Sequence, residues 1–209
     1  RQIGHLIAEQ RDTIARLITL EVGKPLDQAI GEVQATIDVF DWYADETRRT
    51  YGQIIEARAP GRRYVTFEPV GIVAAFTAWN FPVLLMSRKI APALAAGCSI
   101  ICRPAEEAPG AVLAIARCCV NAGVPDGVVN VLTGRPDEIT STLMASPAVR
   151  KVTFTGSIPV GKMWIRQSAD TIKRVTMELG GHAPVIVHAD VDAARVAELS
   201  ALAKFRNAG

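Results

Sequence analysis

From residue 68 onward, short runs of apolar residues alternate with longer segments whose apolar residues recur at helical spacing. The short runs predict extended segments at 70–76, 99–102, 128–132, 152–155, 175–179 and 184–187. The longer segments predict helices at 83–96, 109–121, 137–145, 160–169 and 191–204. Strands that alternate with helices in this way pair in parallel and are covered by helices. The chain is therefore predicted to have an α/β fold, with a parallel sheet and helices on both of its faces.

A helical segment precedes this alternation. Apolar residues at helical spacing predict helices on both sides of a break at residues 23–25, where Gly, Lys and Pro follow one another. Residues 51–68 are predicted to be extended, with a turn at Pro60-Gly61. Residues 1–68 are thus predicted to form helices and an extended connector ahead of the sheet.

Composition argues against several classes of protein. Hydrophobic residues make up 49% of the chain and charged residues 21%, so a buried core is expected rather than disorder. The formal net charge is +2 and the Lys and Arg residues are scattered, which argues against a nucleic-acid or membrane-surface patch. No apolar stretch reaches the roughly 20 residues of a membrane span. The chain begins with neither Met nor a signal-peptide pattern, so what precedes residue 1 stays open.

The cysteines are expected to be buried free thiols in a reducing compartment, which indicates the cytoplasm. All four lie in apolar surroundings, at Cys98, Cys102, Cys118 and Cys119. Their spacing does not match that of a zinc site, and no metal site is predicted.

Ligands of a parallel sheet bind at the carboxyl ends of its strands, so residues that follow the predicted strands are the candidates for function. Residues 77–82 (Thr-Ala-Trp-Asn-Phe-Pro) follow the first strand. Asn80 either caps the next helix or donates its amide to a developing oxyanion. Arg103 and Glu106 follow the second strand. They either hold a ribose or form a solvated loop with an acidic first helical turn.

A glycine turn and a helix start follow the predicted strand at 152–155. Gly156, Ser157 and Gly161 lie there, and free N–H groups together with the helix dipole favour an anion at such a place. The segment nearly matches the P-loop pattern, but Met163 follows Lys162 where a hydroxyl would be needed for magnesium. A phosphate-binding helix start is therefore predicted without either standard nucleotide motif.

Glu178 ends the next predicted strand and leads into Gly180 and Gly181. It is either an acid–base group on a flexible turn or an ordinary charged residue before a tight turn.

Taken together and in order, four segments resemble motifs of the aldehyde dehydrogenase superfamily. Residues 77–82 resemble its P-W-N-F-P motif, with Ala78 in place of Pro, and residues 103–106 resemble K-P-x-E, with Arg in place of Lys. Residues 154–161 resemble F-T-G-S-x-x-x-G, and residues 178–181 resemble E-L-G-G. The match covers essentially the whole chain.

This resemblance implies a Rossmann-like coenzyme-binding core at 69–187, after the N-terminal segment 1–68, and the start of a catalytic domain at 188–209. It implies that Asn80 stabilises an oxyanion and that Glu178 is a general base. Glu106 would hold the adenosine ribose and favour NAD over NADP, because a carboxylate repels a 2′-phosphate. Coenzyme contacts are implied for Thr77, Ala78, Trp79, Arg103, Ala105, Glu106, Gly156, Ser157, Gly161, Leu179 and Gly180.

A narrower resemblance concerns the substrate. Residues 87–98 and 204–209 are similar to succinate-semialdehyde dehydrogenases, in which the arginines matching Arg88 and Arg206 grip the distal carboxylate of the substrate. A planar guanidinium suits bidentate binding of a carboxylate. The other interpretations are a helix-surface charge for Arg88 and an ion pair for Arg206.

The activity implied is NAD(P)-dependent oxidation of an aldehyde to a carboxylic acid, by a homodimer or homotetramer. The family uses a cysteine thiolate as nucleophile and continues F-x-N-x-G-Q-x-C, which places that cysteine three residues past Gly209. The chain as given is therefore expected to bind a dinucleotide without turning over aldehyde. Two other hypotheses stay open: a non-catalytic dinucleotide-binding or oligomerising fragment, and a phosphate-binding transferase.

Overall fold

The computed structural model describes residues 1–56 and 61–208. Its helices are α1 (Gln2–Glu9), α2 (Arg11–Val22), α3 (Leu26–Glu46), α4 (Pro82–Ala95), α5 (Pro109–Asn121), α6 (Pro136–Ala145), α7 (Ile158–Ala169) and α8 (Ala193–Phe205). Its strands are β1 (Gln53–Ile55), β2 (Arg63–Val65), β3 (Ile72–Phe76), β4 (Ile100–Arg103), β5 (Val129–Val131), β6 (Val149–Gly156) and β7 (Arg174–Leu179). Short 3₁₀ helices lie at Thr47–Arg49 and Arg206–Ala208. The turn predicted at Pro60-Gly61 includes a residue outside the described ranges.

A five-stranded parallel sheet forms the centre, in the order β5-β4-β3-β6-β7. The chain moves outward from β3 to β4 and β5, then returns to β6 on the other side of β3. The strand order therefore reverses between β3 and β6. In open parallel sheets the crevice at such a reversal, beyond the carboxyl ends of the strands, is where ligands bind.

Alternate residues of β3 face two separate hydrophobic cores, as expected from the period of two along a strand. Val73 and Ala75 belong to a core that contains residues of α1 to α5. Ala74 and Phe76 belong to a smaller core that contains residues of α6 and α7. There Trp164 packs its ring against Phe76, with centroids 4.1 Å apart. The prediction of a parallel sheet with helices on both faces is confirmed.

The extended segments on either side of the sheet differ in outcome. β1 and β2 pair antiparallel, which confirms the prediction of extended structure within 51–68. Residues 184–187 form no strand, and Val185, Ile186 and Val187 are exposed. The prediction of an extended run there is not matched by a strand. An apolar run predicts a buried strand, but the run alone does not identify a neighbouring strand to pair with. Within the described residues, no helix is long and apolar enough to cross a membrane.

Candidate active site

The carboxyl ends of four strands lie at the same edge of the sheet, where β6 and β7 run two residues further than β3 and β4. Backbone pairing places Arg103 beside Phe76, Phe76 beside Phe154, and Phe154 beside Met177. Because the strands are parallel, the segments that follow them all leave from the same edge of the sheet. The segments predicted as functional therefore start side by side.

A cleft of about 540 Å³ lies at this edge, between the ends of β3, β6 and β7. Its walls come from the turn after β3, the end of β6, the end of β7 and the C-terminal part of α8. The lining residues are Ala78, Trp79, Asn80, Phe81, Thr155, Gly156, Ser157, Glu178, Leu179, Gly180, Ala203, Lys204, Arg206 and Asn207. The structure thus brings the Trp79–Asn80 turn and the Glu178 turn into one cavity.

Asn80 does not cap the helix that follows it. The N-cap of α4 is Phe81, which makes no side-chain capping bond. The backbone N–H groups of Val83 and Leu84 instead donate to Oε1 of Glu32, at 3.0 and 3.2 Å. The side-chain oxygen of Asn80 is buried and has no hydrogen-bond partner among the described residues. The capping interpretation is therefore wrong, and the Asn80 side chain is left free at the wall of the cleft.

Glu178 is the second-last residue of β7 and pairs with Thr155 of β6. Its side chain is exposed and lines the cleft. Lys89 of α4 is buried beneath the same edge, and its Nζ donates to Oγ1 of Thr153 at 3.0 Å. Burial lowers the pKa of Lys89 to about 8, and attraction to Glu178 partly opposes this shift. Glu178 is thus near enough to the buried amine of Lys89 to favour its charged form.

Lys89 was missed by the motif analysis, although a local signal was present. It lies three residues after Met86 and four before Ala93, both of which are buried on the same face of α4. A lysine at that spacing falls on the apolar side of the helix. A charged residue at a position predicted to be buried is a candidate for function.

The start of α7 is open to an anion. Its N-cap, Ser157, makes no side-chain capping bond, Pro159 occupies the first turn, and no acidic residue lies there. The free N–H groups and the dipole of this helix therefore point toward the cleft without a competing carboxylate. Gly161 does not line the cleft. A Cβ at Gly161 would lie 2.5 Å from Cδ2 of Leu179, so this glycine allows α7 to pack closely on β7.

The segment after β4 lies beside this cleft rather than in its lining. Arg103 is mostly buried and its Nη2 donates to Oε1 of the exposed Glu106 at 3.0 Å. Ala105 is buried, and so is Thr77, the residue that follows β3. Helix α5 begins only at Pro109, and its first turn has no acidic residue. The interpretation of Glu106 as part of an acidic first helical turn is therefore wrong.

The two arginines of the narrower resemblance share a second cavity. It has a volume of about 760 Å³ and is lined by residues of α3, α4 and α8, including Arg88 and Arg206. Arg206 and Phe81 line both this cavity and the cleft, so the two spaces adjoin. Within the described part of the chain, neither arginine forms an ion pair. The ion-pair interpretation of Arg206 thus has no described partner.

The cysteines play no part in lining the cleft. All four fall within the described residues and are free and buried, as predicted. Burial raises the pKa of Cys119 to about 12 and also raises that of Cys102, so these thiols stay protonated at neutral pH. The described residues contain no cluster of three or more His, Cys, Asp or Glu side chains that could hold a metal ion.

The whole chain, residues 1–209, matches the model of the aldehyde dehydrogenase family. The chain belongs to the aldehyde dehydrogenase family. The resemblance drawn from the four motifs is thereby confirmed, as is the partial aldehyde dehydrogenase fold, since solved members of the family superimpose on the chain. The crystal structure of an NADP-dependent enzyme of E. coli covers 100% of the chain with a TM-score of 0.98 at 44% identity, and the chain covers 44% of it.

Three curated relatives illustrate the range of this part of the aldehyde dehydrogenase family. A 4-(hydroxymethyl)benzenesulfonate dehydrogenase of Comamonas testosteroni is 52% identical over 97% of this chain and 43% of its own length. A 3-sulfolactaldehyde dehydrogenase of Pseudomonas putida is 49% identical over 98% and 42%. A succinate semialdehyde dehydrogenase of Acinetobacter baylyi is 46% identical over 98% and 42%. The chain thus spans less than half the length of the curated relatives it matches.

Proposed function

We propose that this chain supplies the coenzyme-binding part of an enzyme that oxidises an aldehyde to a carboxylic acid with NAD(P). The observation that carries the proposal is the cleft between β3, β6 and β7, which has Asn80 on one wall, Glu178 on the other and the start of α7 at its rim. One strand, β6, separates β3 from β7, so the two turns leave the sheet roughly 10 Å apart. That width accommodates a reacting carbon between an oxyanion donor and a base.

A dinucleotide fits the residues at this edge. Pyrophosphate would accept from the free N–H groups at the start of α7, next to Gly156 and Ser157. The adenosine ribose would lie at the Arg103–Glu106 pair, where the exposed carboxylate accepts from its hydroxyls. The coenzyme supplies the acceptor for the hydride that leaves the substrate. Glu106 favours NAD, whereas Arg103 leaves NADP as the alternative coenzyme. A relative whose name specifies NADP is 44% identical to this chain.

The remaining chemistry is assigned to this chain's own side chains. The Asn80 amide donates to the oxyanion that forms when a cysteine thiolate of the longer protein attacks the aldehyde. Glu178 takes a proton from the water that releases the acid from the resulting thioester. Trp79, Ala78, Leu179 and Gly180 form the cleft walls against which the coenzyme ring would rest.

The proposed substrate is a short aldehyde with an anionic group at its far end, such as succinate semialdehyde. Arg88 and Arg206 line one cavity that adjoins the cleft, so a molecule could place its aldehyde beside Asn80 and its anion between two guanidinium groups. The names of the relatives support an anionic substrate, since they include both a succinate semialdehyde and a sulfolactaldehyde dehydrogenase. Carboxylate and sulfonate place similar demands on a pair of arginines.

The intact protein is also proposed to be a cytoplasmic homodimer or homotetramer. The supporting observation is the β1–β2 hairpin, which exposes Ile54 and Tyr64 on a small two-stranded sheet. Exposed apolar side chains on a separate two-stranded sheet are suited to contact with another subunit. Light scattering on the full-length protein measures the subunit number, and a monomer at micromolar concentration would contradict this part of the proposal.

Steady-state and pre-steady-state assays of the full-length protein test the activity. With succinate semialdehyde and NAD we expect sustained formation of NADH, at a kcat/KM well above that for butanal, which lacks the anion. Glu178→Gln is expected to retain a stoichiometric burst of NADH and to lose most of the steady-state rate, because only the hydrolytic step needs the base. No NADH from any aldehyde would refute the function, and an unchanged steady-state rate would remove Glu178 from it.

A further inference from the structure

Three polar residues lie along one side of the start of α3. Gln28 and Glu32 lie four residues apart in the first two turns of α3, on one face of the helix, and Lys24 lies just before the helix begins. That face lies against the start of α4, which follows the Asn80 turn, and α3 and α4 pack closely together. None of the three residues belongs to a motif that the sequence analysis singled out.

Glu32 connects α3 to the beginning of α4. Its side chain is buried, and while Oε1 accepts from the N–H groups of Val83 and Leu84, Oε2 pairs with Nζ of Lys24, which is also buried. Burial lowers the pKa of Lys24, and the contact with Glu32 opposes this. A buried ion pair is a weak source of stability, because removing both charges from water costs about as much as their attraction returns. Such a pair does fix the geometry of the groups it holds.

Lys24 also contacts the residue next to Asn80. Its Nζ lies 3.9 Å from the centroid of the Phe81 ring, and Cζ of Arg206 lies 5.6 Å from the same centroid. A cation over an aromatic face is attracted by the ring and holds its orientation. Phe81, which follows Asn80, is therefore held in two ways: by the contacts to its ring and by the capped helix that begins after it.

Gln28 reaches the Asn80 turn through a third residue. Its Oε1 accepts from the backbone N–H of Asn207 at 2.8 Å, and Nδ2 of Asn207 donates to the backbone carbonyl of Asn80 at 2.7 Å. Asn207 has a φ of 58°, in the left-handed region that asparagine adopts more readily than most non-glycine residues. The Asn80 turn is thus held on its far side too.

We propose that Lys24, Gln28 and Glu32 are positioning residues that fix the backbone of the Asn80 turn, so that the Asn80 amide meets the oxyanion in the transition state. This inference rests on the proposed function for its catalytic consequence. Its structural part, a turn held by Lys24 and by the first two turns of α3, stands on the contacts alone. A misplacement of about 1 Å in a catalytic group can cost on the order of 100-fold in rate.

The chain contains a matched control for these contacts. Glu21 of α2 caps α5 in the same manner, with Oε1 accepting from the N–H of Gly110 at 2.6 Å and Oε2 from that of Ala111 at 3.0 Å. Among the described residues, no side-chain hydrogen bond or ion pair joins Glu21 to residues 77–82. Substitution of Glu21 therefore removes a similar helix cap without touching the Asn80 turn.

The test uses the full-length enzyme with Glu32→Gln, Gln28→Ala and the double variant Lys24→Met/Glu32→Gln, which removes both buried charges and leaves no unpaired one. Each is expected to lower kcat about 10-fold or more with little change in the KM for coenzyme, since loss of an interaction made in the transition state lowers kcat. Glu21→Gln is expected to lower the Tm and keep kcat. In an Asn80→Ala background the α3 substitutions should cause no further loss, because they act through Asn80.

Amide hydrogen exchange of residues 78–81 gives a second measurement that needs no turnover. We expect faster exchange there in the α3 variants than in Glu21→Gln. The catalytic part would be overturned if the losses of kcat were additive with that of Asn80→Ala, or if Glu21→Gln showed the same loss. Unchanged exchange at residues 78–81 would overturn the positioning itself. If Asn80→Ala alone leaves kcat unchanged, the proposed role of Asn80 fails, and the exchange measurement decides the inference separately.

Discussion

The glutamate side chains in this chain differ in the hydrogen bonds that their carboxylate oxygens accept. Glu21 and Glu32 accept from backbone N–H groups at the starts of helices, so their hydrogen-bonding capacity is used within the protein. Glu106 and Glu178 instead lie exposed at the carboxyl edge of the sheet, where a ligand can reach them. Side chains of one chemical type are thus separated into structural and candidate functional groups by their partners.

Replacement of Glu106 tests the assignment of the ribose site. Glu106→Ser removes the negative charge and leaves Arg103 unpaired, so a 2′-phosphate would meet a cation instead of a carboxylate. We expect the ratio of kcat/KM for NADP to that for NAD to rise by about 10-fold or more, the effect of roughly 1.4 kcal/mol. Assays of the full-length enzyme with both coenzymes measure this ratio. An unchanged ratio would place the ribose elsewhere.

Lys89 is expected to make the free energy of unfolding depend on pH in the alkaline range. Its pKa is lowered from 10.5 to about 8 in the folded chain, so between these values the unfolded chain holds more protons on this side chain. Stability from this residue therefore rises as pH increases from about 8 to 10.5. We expect the gain in free energy of unfolding from Lys89→Met to be larger at pH 7.5 than at pH 10. Urea unfolding at the two values measures it, and an equal difference at both would contradict the lowered pKa.

Helices α4 and α5 illustrate how elements depend on residues far from them in the chain. Both begin with Pro, and neither has a capping side chain of its own. Carboxylates from α2 and α3 cap them instead, and they thereby tie the N-terminal helices to the segments that leave the sheet. The N-terminal helices are therefore part of the framework that supports the cleft.

At Gly110 the cap that Glu21 provides for α5 is expected to outweigh helix propensity. Ala in place of Gly normally stabilises a helix by about 0.5–1 kcal/mol. A Cβ at Gly110 would lie 2.7 Å from Oε1 of Glu21, so Gly110→Ala displaces the carboxylate from its N–H partners. We expect a loss of about 1–2 kcal/mol and a lower Tm. Gly31→Ala in α3 is the control, since no atom lies within 4 Å of its Cβ position, and it should raise the Tm.

At the scale of the molecule, the two ends of the chain differ in burial. The helices α1 to α5 pack on the sheet around an extensive core. Helix α8 has no buried residue, and apolar side chains including Ile186, Leu202 and Phe205 are exposed. The chain covers less than half the length of its curated relatives. Exposed apolar side chains also lie earlier in the chain, as at Leu20 and Ile54.

The chain as given is predicted to bind coenzyme without oxidising aldehyde. The cleft and the start of α7 are formed by residues within 78–207 of this chain, whereas its four thiols are buried and do not line the cleft. Titration of the 209-residue chain with NAD should therefore give saturable binding by calorimetry, with no increase in absorbance at the NADH wavelength when succinate semialdehyde is added. Sustained NADH formation would show that one of these thiols, or another group, acts as nucleophile.

Much of the fold was predictable because its signals are local. The apolar periodicities that give α5 at 109–121 and β7 near 175–179 lie within each segment. Alternation of the segments then implies a parallel sheet, and a parallel sheet brings the residues after its strands to one edge. This order places the Asn80 and Glu178 turns at the same edge, and the sheet order β3-β6-β7 then brings them into one cleft.

Only the tertiary structure decided which groups contact one another across the chain. Glu32 accepts from the N–H of Val83, which is 51 residues later, and Gln28 bonds to Asn207 across 179 residues. Asn80 is left without a capping role because Glu32 already occupies the N–H groups of α4. The sequence by itself determined the elements and the edge where ligands bind, since period and order are properties of neighbouring residues. Hydrogen bonds between distant residues depend on how the elements pack, and no local pattern records them.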